Sequence, residues 1–402
     1  MHNVKTIIND VYYVGVNDRR ITLFENTHPV ERGMAYNSYV ILDEKTVLLD
    51  TVDKADGQQF MENVIHALRG RDLDYLVINH MEPDHCGSIV DIMRRYPNVV
   101  LVGNSTTFRL LDQFYDIGLQ GRKIDVKEND TLNIGKRTLR FFMAPMVHWP
   151  EVMVTFEESE GLLFSADAFG TFGALEGNLF ADQINFAELL LDEARRYYSN
   201  IIGKYGAQTL SLLNKLEKLN IRFLLPLHGP LWRENISWYV DKYRRWASYT
   251  PEEKGVVIAF ASIYGNTEEV IDILAGYLAD LGVNNIRIHD VSSTDPSYIL
   301  SDVFRYSGLI IASSTYNFKI FPRMETFLSD LVSSNMQKRS FAVIENGSWA
   351  PNVDSLVRPA LAKLNNNSII NVEKFTVKSS LKTFQLDALR KLAQAIANTI
   401  IE

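Results

Sequence analysis

Four side chains of the kinds that bind metals, His80, Glu82, Asp84 and His85, fall within six consecutive positions directly after the run Leu76-Val77-Ile78-Asn79. Such a run reads as a strand, so the cluster sits at a strand-to-helix turn. Packing is a poor explanation for this density, because ionisable groups avoid a core unless something there pairs with them. Alternate residues of such a turn point to one side, which lets His80 and Glu82 serve one metal while Asp84 and His85 reach a second. Three more candidates stand just after predicted strands: His148 after 141–143, Asp167 after 162–166 and His228 after 223–227. Convergence on one sheet edge is the economical expectation.

The rest of the pattern supplies such sheets. The first 55 residues alternate with a period of two, as at 35–42 and 46–50, and predict a β-rich opening. Strands are then expected over 74–79, 99–102, 138–143, 153–156 and 223–227, with helices near 57–69, from about 88, and at 186–203 and 207–219. Together they form a mixed α/β sandwich. Periodicity lapses around 248–254, where Pro251 sits, and resumes at Val256. A boundary is expected there, dividing the chain into domains 1–250 and 251–402. The second alternates strands at 256–261, 308–313 and 341–345 with helices, the last at 385–401, the pattern of a doubly wound parallel sheet.

Composition narrows the chemistry. The single cysteine, Cys86, excludes an internal disulfide and a four-thiolate iron–sulfur centre, and reads as a small buried residue. Any redox cofactor must be held some other way. With 41 basic and 49 acidic residues the formal charge is -8, and no concentrated basic tract offers itself to nucleic acid. No segment approaches the roughly 18 apolar residues of a membrane span. The opening Met1-His2-Asn3-Val4-Lys5 lacks the regions of a signal peptide, so a cytoplasmic protein is expected.

In the second domain, strand 256–261 leads into Ser262-Ile263-Tyr264-Gly265-Asn266-Thr267 and a helix. The hydroxyls of Ser262 and Thr267, backbone N–H groups freed by Gly265 and the helix N-terminus suit a terminal phosphate without a lysine. The missing Gly-Lys-Ser/Thr argues against a nucleoside triphosphate. Ser314-Thr315-Tyr316-Asn317 and Asn346-Gly347-Ser348-Trp349 open at the carboxyl edge of the same sheet, where doubly wound folds bind ligands. Trp349 can stack on a planar ring.

The cluster at 80–85 with the later His148, Asp167 and His228 resembles the metallo-β-lactamase superfamily, whose usual third motif residue is His where this chain has Glu82. An added carboxylate hardens the site and favours iron or manganese over zinc. With Val147-His148-Trp149-Pro150, the resemblance is to the flavodiiron branch, and the three later loops resemble the flavodoxin FMN site, with Ser314 where proline is frequent. FMN rather than FAD follows because no adenosine-binding extension is visible.

The resemblance implies one iron on His80, Glu82 and His148, a second on Asp84, His85 and His228, and Asp167 bridging them. It also implies a pocket tyrosine, Tyr197 or Tyr198, able to donate to bound oxygen, and makes His28 a candidate to stand behind the irons. In the family, FMN takes electrons from a separate donor, a rubredoxin or a flavin reductase. It passes them to the diiron site, which reduces O2 to water or NO to N2O. The implied assembly is a head-to-tail homodimer or dimer of dimers, the flavin of one subunit serving the partner's irons. With no appended module expected after Glu402, the order of domains resembles the minimal one of the family. The rivals are a zinc hydrolase with an accessory flavodoxin module, and a non-enzymatic electron carrier with an inert N-terminal domain.

Overall fold

The computed structural model describes every residue except Gln120, Val372 and Glu402. The chain divides into two compact units, Met1–Tyr198 with Ala207–Arg244, and Ser199–Gly206 with Arg245–Glu402.

Alternation in the strand period sets the layers of the first unit. One sheet runs Lys5–Ile8, Val11–Tyr13, Tyr39–Leu42, Thr46–Leu49, Tyr75–Val77, Val100–Gly103, Lys123–Asp125. Its first four strands are antiparallel and the remainder join in parallel. The other sheet runs Thr131–Asn133, Thr138–Met143, Met153–Glu157, Leu162–Phe164, Phe223–Leu225, with only the last pair parallel. Tyr39, Ile41, Val47, Leu49 and Val77 of the first sheet share one buried cluster with Leu139, Phe141, Met153, Phe164 and Leu225 of the second. The sheets therefore pack face to face over this core. Out of phase with these residues, Val40 looks to the opposite face, against which helix Gly57–Leu68 buries Phe60, Val64 and Leu68. This is the expected αββα sandwich.

The helix predicted over 186–203 is interrupted. It forms as Phe186–Leu189 and Leu191–Tyr197, followed by a π-helical turn at Tyr198–Ile202. An extra residue in the turn changes which side chains face inward, a device common at functional sites.

In the second unit a parallel sheet runs Ile286–Asp290, Glu253–Ala261, Tyr306–Tyr316, Ser340–Asn346, and both Ser368–Ile369 and Phe375–Val377 pair with the last of these. Helices Asn266–Asp280 and Leu386–Ile401 cover one face, with Val270, Leu274, Leu389 and Ile396 packed on Val256, Ile258 and Ile310. The strand order reverses beside Glu253–Ala261, which opens a crevice at the carboxyl ends of the strands. Among the described residues no helix is long and apolar enough to cross a membrane.

Candidate metal centre and flavin pocket

His80, Asp167 and His228 each stand three residues beyond the last residue of a strand, respectively Val77, Phe164 and Leu225. Phe164 pairs with Leu225 in parallel register, which brings Asp167 and His228 level. His148 comes from the connection between Thr138–Met143 and Met153–Glu157. Glu82 caps the one-turn helix Pro83–Cys86, which starts on a proline because that position needs no N–H, and the turn presents Asp84 and His85. Behind it, the buried Asp50 carboxylate accepts the N–H groups of Asn79 at 2.7 Å and His80 at 3.1 Å and fixes the chain's exit from the strand. At Gly229, φ is +76° and a Cβ would lie 2.1 Å from Thr171 Cγ2, so only glycine fits after His228.

These elements bring all seven predicted side chains together, each buried. Their ligand atoms form two groups, His80, Glu82, His148 and Asp167, and Asp84, His85 and His228, each within 4.8 Å. Asp167 faces both. Its Oδ2 lies 3.3 Å from His80 Nε2 and 3.1 Å from His148 Nε2, and its Oδ1 lies 3.2 Å from His85 Nε2 and 3.7 Å from His228 Nε2. Glu82 Oε2 completes the first group at 3.2 and 3.0 Å from the His80 and His148 nitrogens, and Asp84 Oδ2 completes the second at 3.2 and 3.4 Å from those of His85 and His228. From behind, His80 Nδ1 donates to Glu151 Oε1 at 2.8 Å and His228 Nδ1 donates to the Ala35 carbonyl at 2.8 Å. Protons on Nδ1 leave the Nε2 lone pairs aimed at the centre.

Charge in the cluster is unbalanced. Burial opposes charging of the histidines, yet Asp84 and Asp167 push His85 up to about 10, and Asp167 and Glu82 push His148 up to about 9. Burial likewise opposes ionisation of Asp167, but His80 and His85 hold its carboxyl well below the usual range. So much anionic character in a dry site calls for cations.

Tyr197 is buried with no hydrogen-bond partner for its hydroxyl among the described residues, and its ring lies 5.4 Å from that of His228. After burial, the charges of Asp167, Asp84 and Glu82 act on its phenol. Tyr198 instead sets its ring 5.0 Å from Tyr243. His28 Nε2 lies 4.0 Å from Glu25 Oε2 and stands outside the two groups, whereas Glu25 itself, which sequence reasoning missed, faces Glu82. Burial and the Glu82 charge push the Glu25 carboxyl up to about 8. Glu151 and the Ala35 carbonyl were missed as well. A signal existed for Glu151, an acid directly after His148-Trp149-Pro150. Cys86 is buried, its thiol donating to the Met81 carbonyl at 3.2 Å.

In the second unit, a cavity of about 290 Å³ is lined by residues of all three predicted loops, joined by Phe318, Ala350 and Ser379. Gly265, at φ +88°, precedes helix Asn266–Asp280. Thr267 ties the loops together: its N–H donates to Ser262 Oγ at 3.2 Å, and its hydroxyl lies 3.0 Å from Ser314 Oγ and accepts from Asn346 Nδ2 at 3.2 Å. At the rim Trp349 is 75% exposed and meets Phe318 edge-on at 4.8 Å, leaving an indole face open for stacking. A fourth loop escaped the sequence reading: Asn346 Nδ2 also donates to the Ser379 carbonyl at 3.0 Å. A larger groove of about 750 Å³, along Leu213, Leu216, Ile236 and Val240 of the first unit, holds none of these groups.

Known proteins are similar to this chain. The family model described as ODP family beta lactamase matches residues 34–229. Rubredoxin oxygen:oxidoreductase from Desulfovibrio gigas superposes with a TM-score of 0.93 at 26% identity, covering 99% of each chain. A flavo di-iron protein from Thermotoga maritima does so at 0.90 and 25%, covering 99% of this chain and 98% of that one. An anaerobic nitric oxide reductase flavorubredoxin of Vibrio vulnificus is 32% identical over 346 residues, which is 85% of this chain and 69% of that protein. The chain belongs to the flavodiiron family. Membership implies a flavin and paired irons, and the residues present fit both. Asp84 Oδ2 and Asp167 Oδ1 are buried 3.2 Å from His85 Nε2 yet accept no well-formed hydrogen bond from the described residues. Acceptor atoms facing one another at that range are reconciled by a cation between them. An all N and O donor set without thiolate suits iron. For the flavin, the flavodiiron chain offers short hydroxyls at a helix N-terminus beside exposed aromatic rings.

Proposed function

We propose that this flavodiiron protein reduces O2 to water, NO to N2O, or both, and so removes a toxic diatomic gas. It is an oxidoreductase; the names of its relatives, nitric oxide reductase and oxygen:oxidoreductase, span the two substrates. The observation that carries the reading is the division of Asp167 between two groups of ligand-type side chains. In this reading His80, Glu82 and His148 hold one iron, Asp84, His85 and His228 the other, and Asp167 both. Iron held there would supply positions for the gas, and FMN in the second unit would supply electrons from an external donor such as a rubredoxin or a flavin reductase.

The chain's own residues do the rest. Glu151 and the Ala35 carbonyl keep His80 and His228 in the tautomer that presents Nε2. Phe24 and Phe172, edge-on to His228 and Tyr197, wall the second group against water. Tyr197, rather than Tyr198, would hold its phenolic O–H as the donor available to an oxygen atom of the gas. Ser262 and Thr267 take the FMN phosphate and Trp349 the ring, with Ser314 to Asn317 and Asn346 to Ser348 between them. The domains 1–250 and 251–402 would thus divide the metal and flavin roles, in a cytoplasmic head-to-tail homodimer or dimer of dimers.

The test is to measure iron, zinc and FMN in the purified protein and to follow O2 and NO consumption in parallel with a chemically reduced donor. Iron and FMN with consumption of either gas is expected. Zinc without iron, or neither gas consumed, ends the proposal.

A further inference from the structure

The two groups of ligands are not backed alike. Behind the first, His80 Nδ1 meets a carboxylate, Glu151 Oε1, at 2.8 Å, and the side chain of Glu151 is wholly buried. Behind the second, His228 Nδ1 meets the neutral Ala35 carbonyl, and His85 Nδ1 is buried with no partner among the described residues. The first group also counts Glu82 beside Asp167 Oδ2, and the second Asp84 beside Asp167 Oδ1, so the ligating carboxylates are matched; the Asp50 carboxylate acts on His85 from a distance, with no hydrogen bond to its ring among the described residues, whereas Glu151 is bonded directly to the imidazole of His80.

Glu151 is aimed with care. Its Oε1 also accepts the Met81 N–H at 2.8 Å. That N–H lies 3.1 Å from His80 Nδ1 as well, but the shorter bond to the carboxylate leaves Nδ1 as a donor. The Glu151 carbonyl accepts from Asn104 Nδ2 at 2.6 Å, and Asn104 caps helix Ser105–Phe114, so the residue hangs from a rigid element. Its Oε2 is buried with no hydrogen-bond partner among the described residues. A strut would not need this: a neutral amide oxygen could accept both N–H groups, without a half-satisfied carboxylate in a dry interior. The charge is what the position adds, and the imidazole between them carries it toward the metal.

We propose that Glu151 is a positioning residue that makes the His80, Glu82, His148 and Asp167 position the tighter of the two iron sites. The inference rests on the diiron reading above. A carboxylate behind an imidazole makes that ligand more basic, and losing such a partner typically weakens metal affinity about 10–100-fold.

The test is iron release from the purified, dithionite-reduced protein to a ferrous chelator. Wild type is expected to release iron in two phases, and anomalous diffraction after the fast phase to show the remaining iron on the His80 side. Glu151→Gln, which keeps both hydrogen bonds and removes the charge, should accelerate the slow phase about 10–100-fold and leave the fast phase alone. Should that variant not accumulate folded, Glu151→Asp, which draws the charge back by one methylene, should give a smaller acceleration of the same phase. A single phase in wild type, remaining iron on the His228 side, or a slow phase unchanged in whichever variant folds overturns the proposal. Purified protein without iron would overturn the diiron reading and this inference together, whereas two irons lost indifferently would overturn this inference alone.

Discussion

Asp167 is the residue on which the metal centre turns, because each of its two oxygens faces a different set of histidines. Asp167→Asn replaces one oxygen by an amide N–H2 that cannot ligate, so iron per chain should fall by at least half while the circular dichroism spectrum is unchanged; metal analysis decides it. Tyr197→Phe removes a buried hydroxyl that bonds to none of the described residues, so its melting temperature should stay within about a degree. Turnover of the gas should nevertheless fall at least about 10²-fold, the lower end of what a positioned proton donor contributes. A large stability loss with turnover intact would place Tyr197 in the packing instead. At this scale the sequence was most legible where ligand types crowd together, as at 80–85. Glu25 escaped because it sits in a short loop with no periodicity, at φ 51°, and nothing in its neighbours announces that Glu82 lies across from it. His28, the candidate offered by the sequence, stands 4.0 Å from Glu25.

Elements end where side chains make ending cheap. Helix Pro296–Arg305 finishes against the buried guanidinium of Arg339, which donates to the carbonyls of Val303 at 2.6 Å and Phe304 at 2.8 Å and also to that of Tyr249 at 2.7 Å. Burial pulls this guanidinium down to about 9, so its charge is held at a cost and its hydrogen bonds matter. Arg339→Lys keeps a cation but loses the planar fork, and should lower the unfolding free energy of the C-terminal unit by about 3 kcal/mol, read by urea titration of flavin fluorescence. Gly265→Ala places a side chain at φ +88°, where nothing blocks it sterically but the backbone conformation costs about 1–2 kcal/mol. FMN affinity should fall about tenfold as the loop relaxes away from the helix start, measured by quenching of added flavin. Elements were legible in proportion to their burial. Strand Glu253–Ala261 is almost wholly interior and reads plainly as an apolar run, whereas Ile286–Asp290 is partly exposed along its length and offers only the brief alternation of Ile286 and Ile288 with Arg287 and His289. The π turn at Tyr198–Ile202 leaves the apolar pattern intact on both sides, so the segment looked like one helix.

The molecule has two hydrophobic cores, one between the sheets of the first unit and one around the parallel sheet of the second. A ligand stabilises the unit that binds it. Calorimetry should therefore resolve two transitions, with removal of iron lowering only one and removal of flavin only the other; a common shift of both would show that the cores melt as one. The order of the two folds was legible because each begins on a motif that needs its own sheet, while the exchange of Ser199–Gly206 into the second unit has no mark in composition or periodicity. The offset shared by His80, Asp167 and His228, three residues past a strand's end, gives the centre an unusual inheritance. What must be transmitted is a count. Most amino acids in those strands can drift so long as they stay apolar, and the metal set survives. A single codon gained or lost between Val77 and His80, Phe164 and Asp167, or Leu225 and His228 would erase it at once.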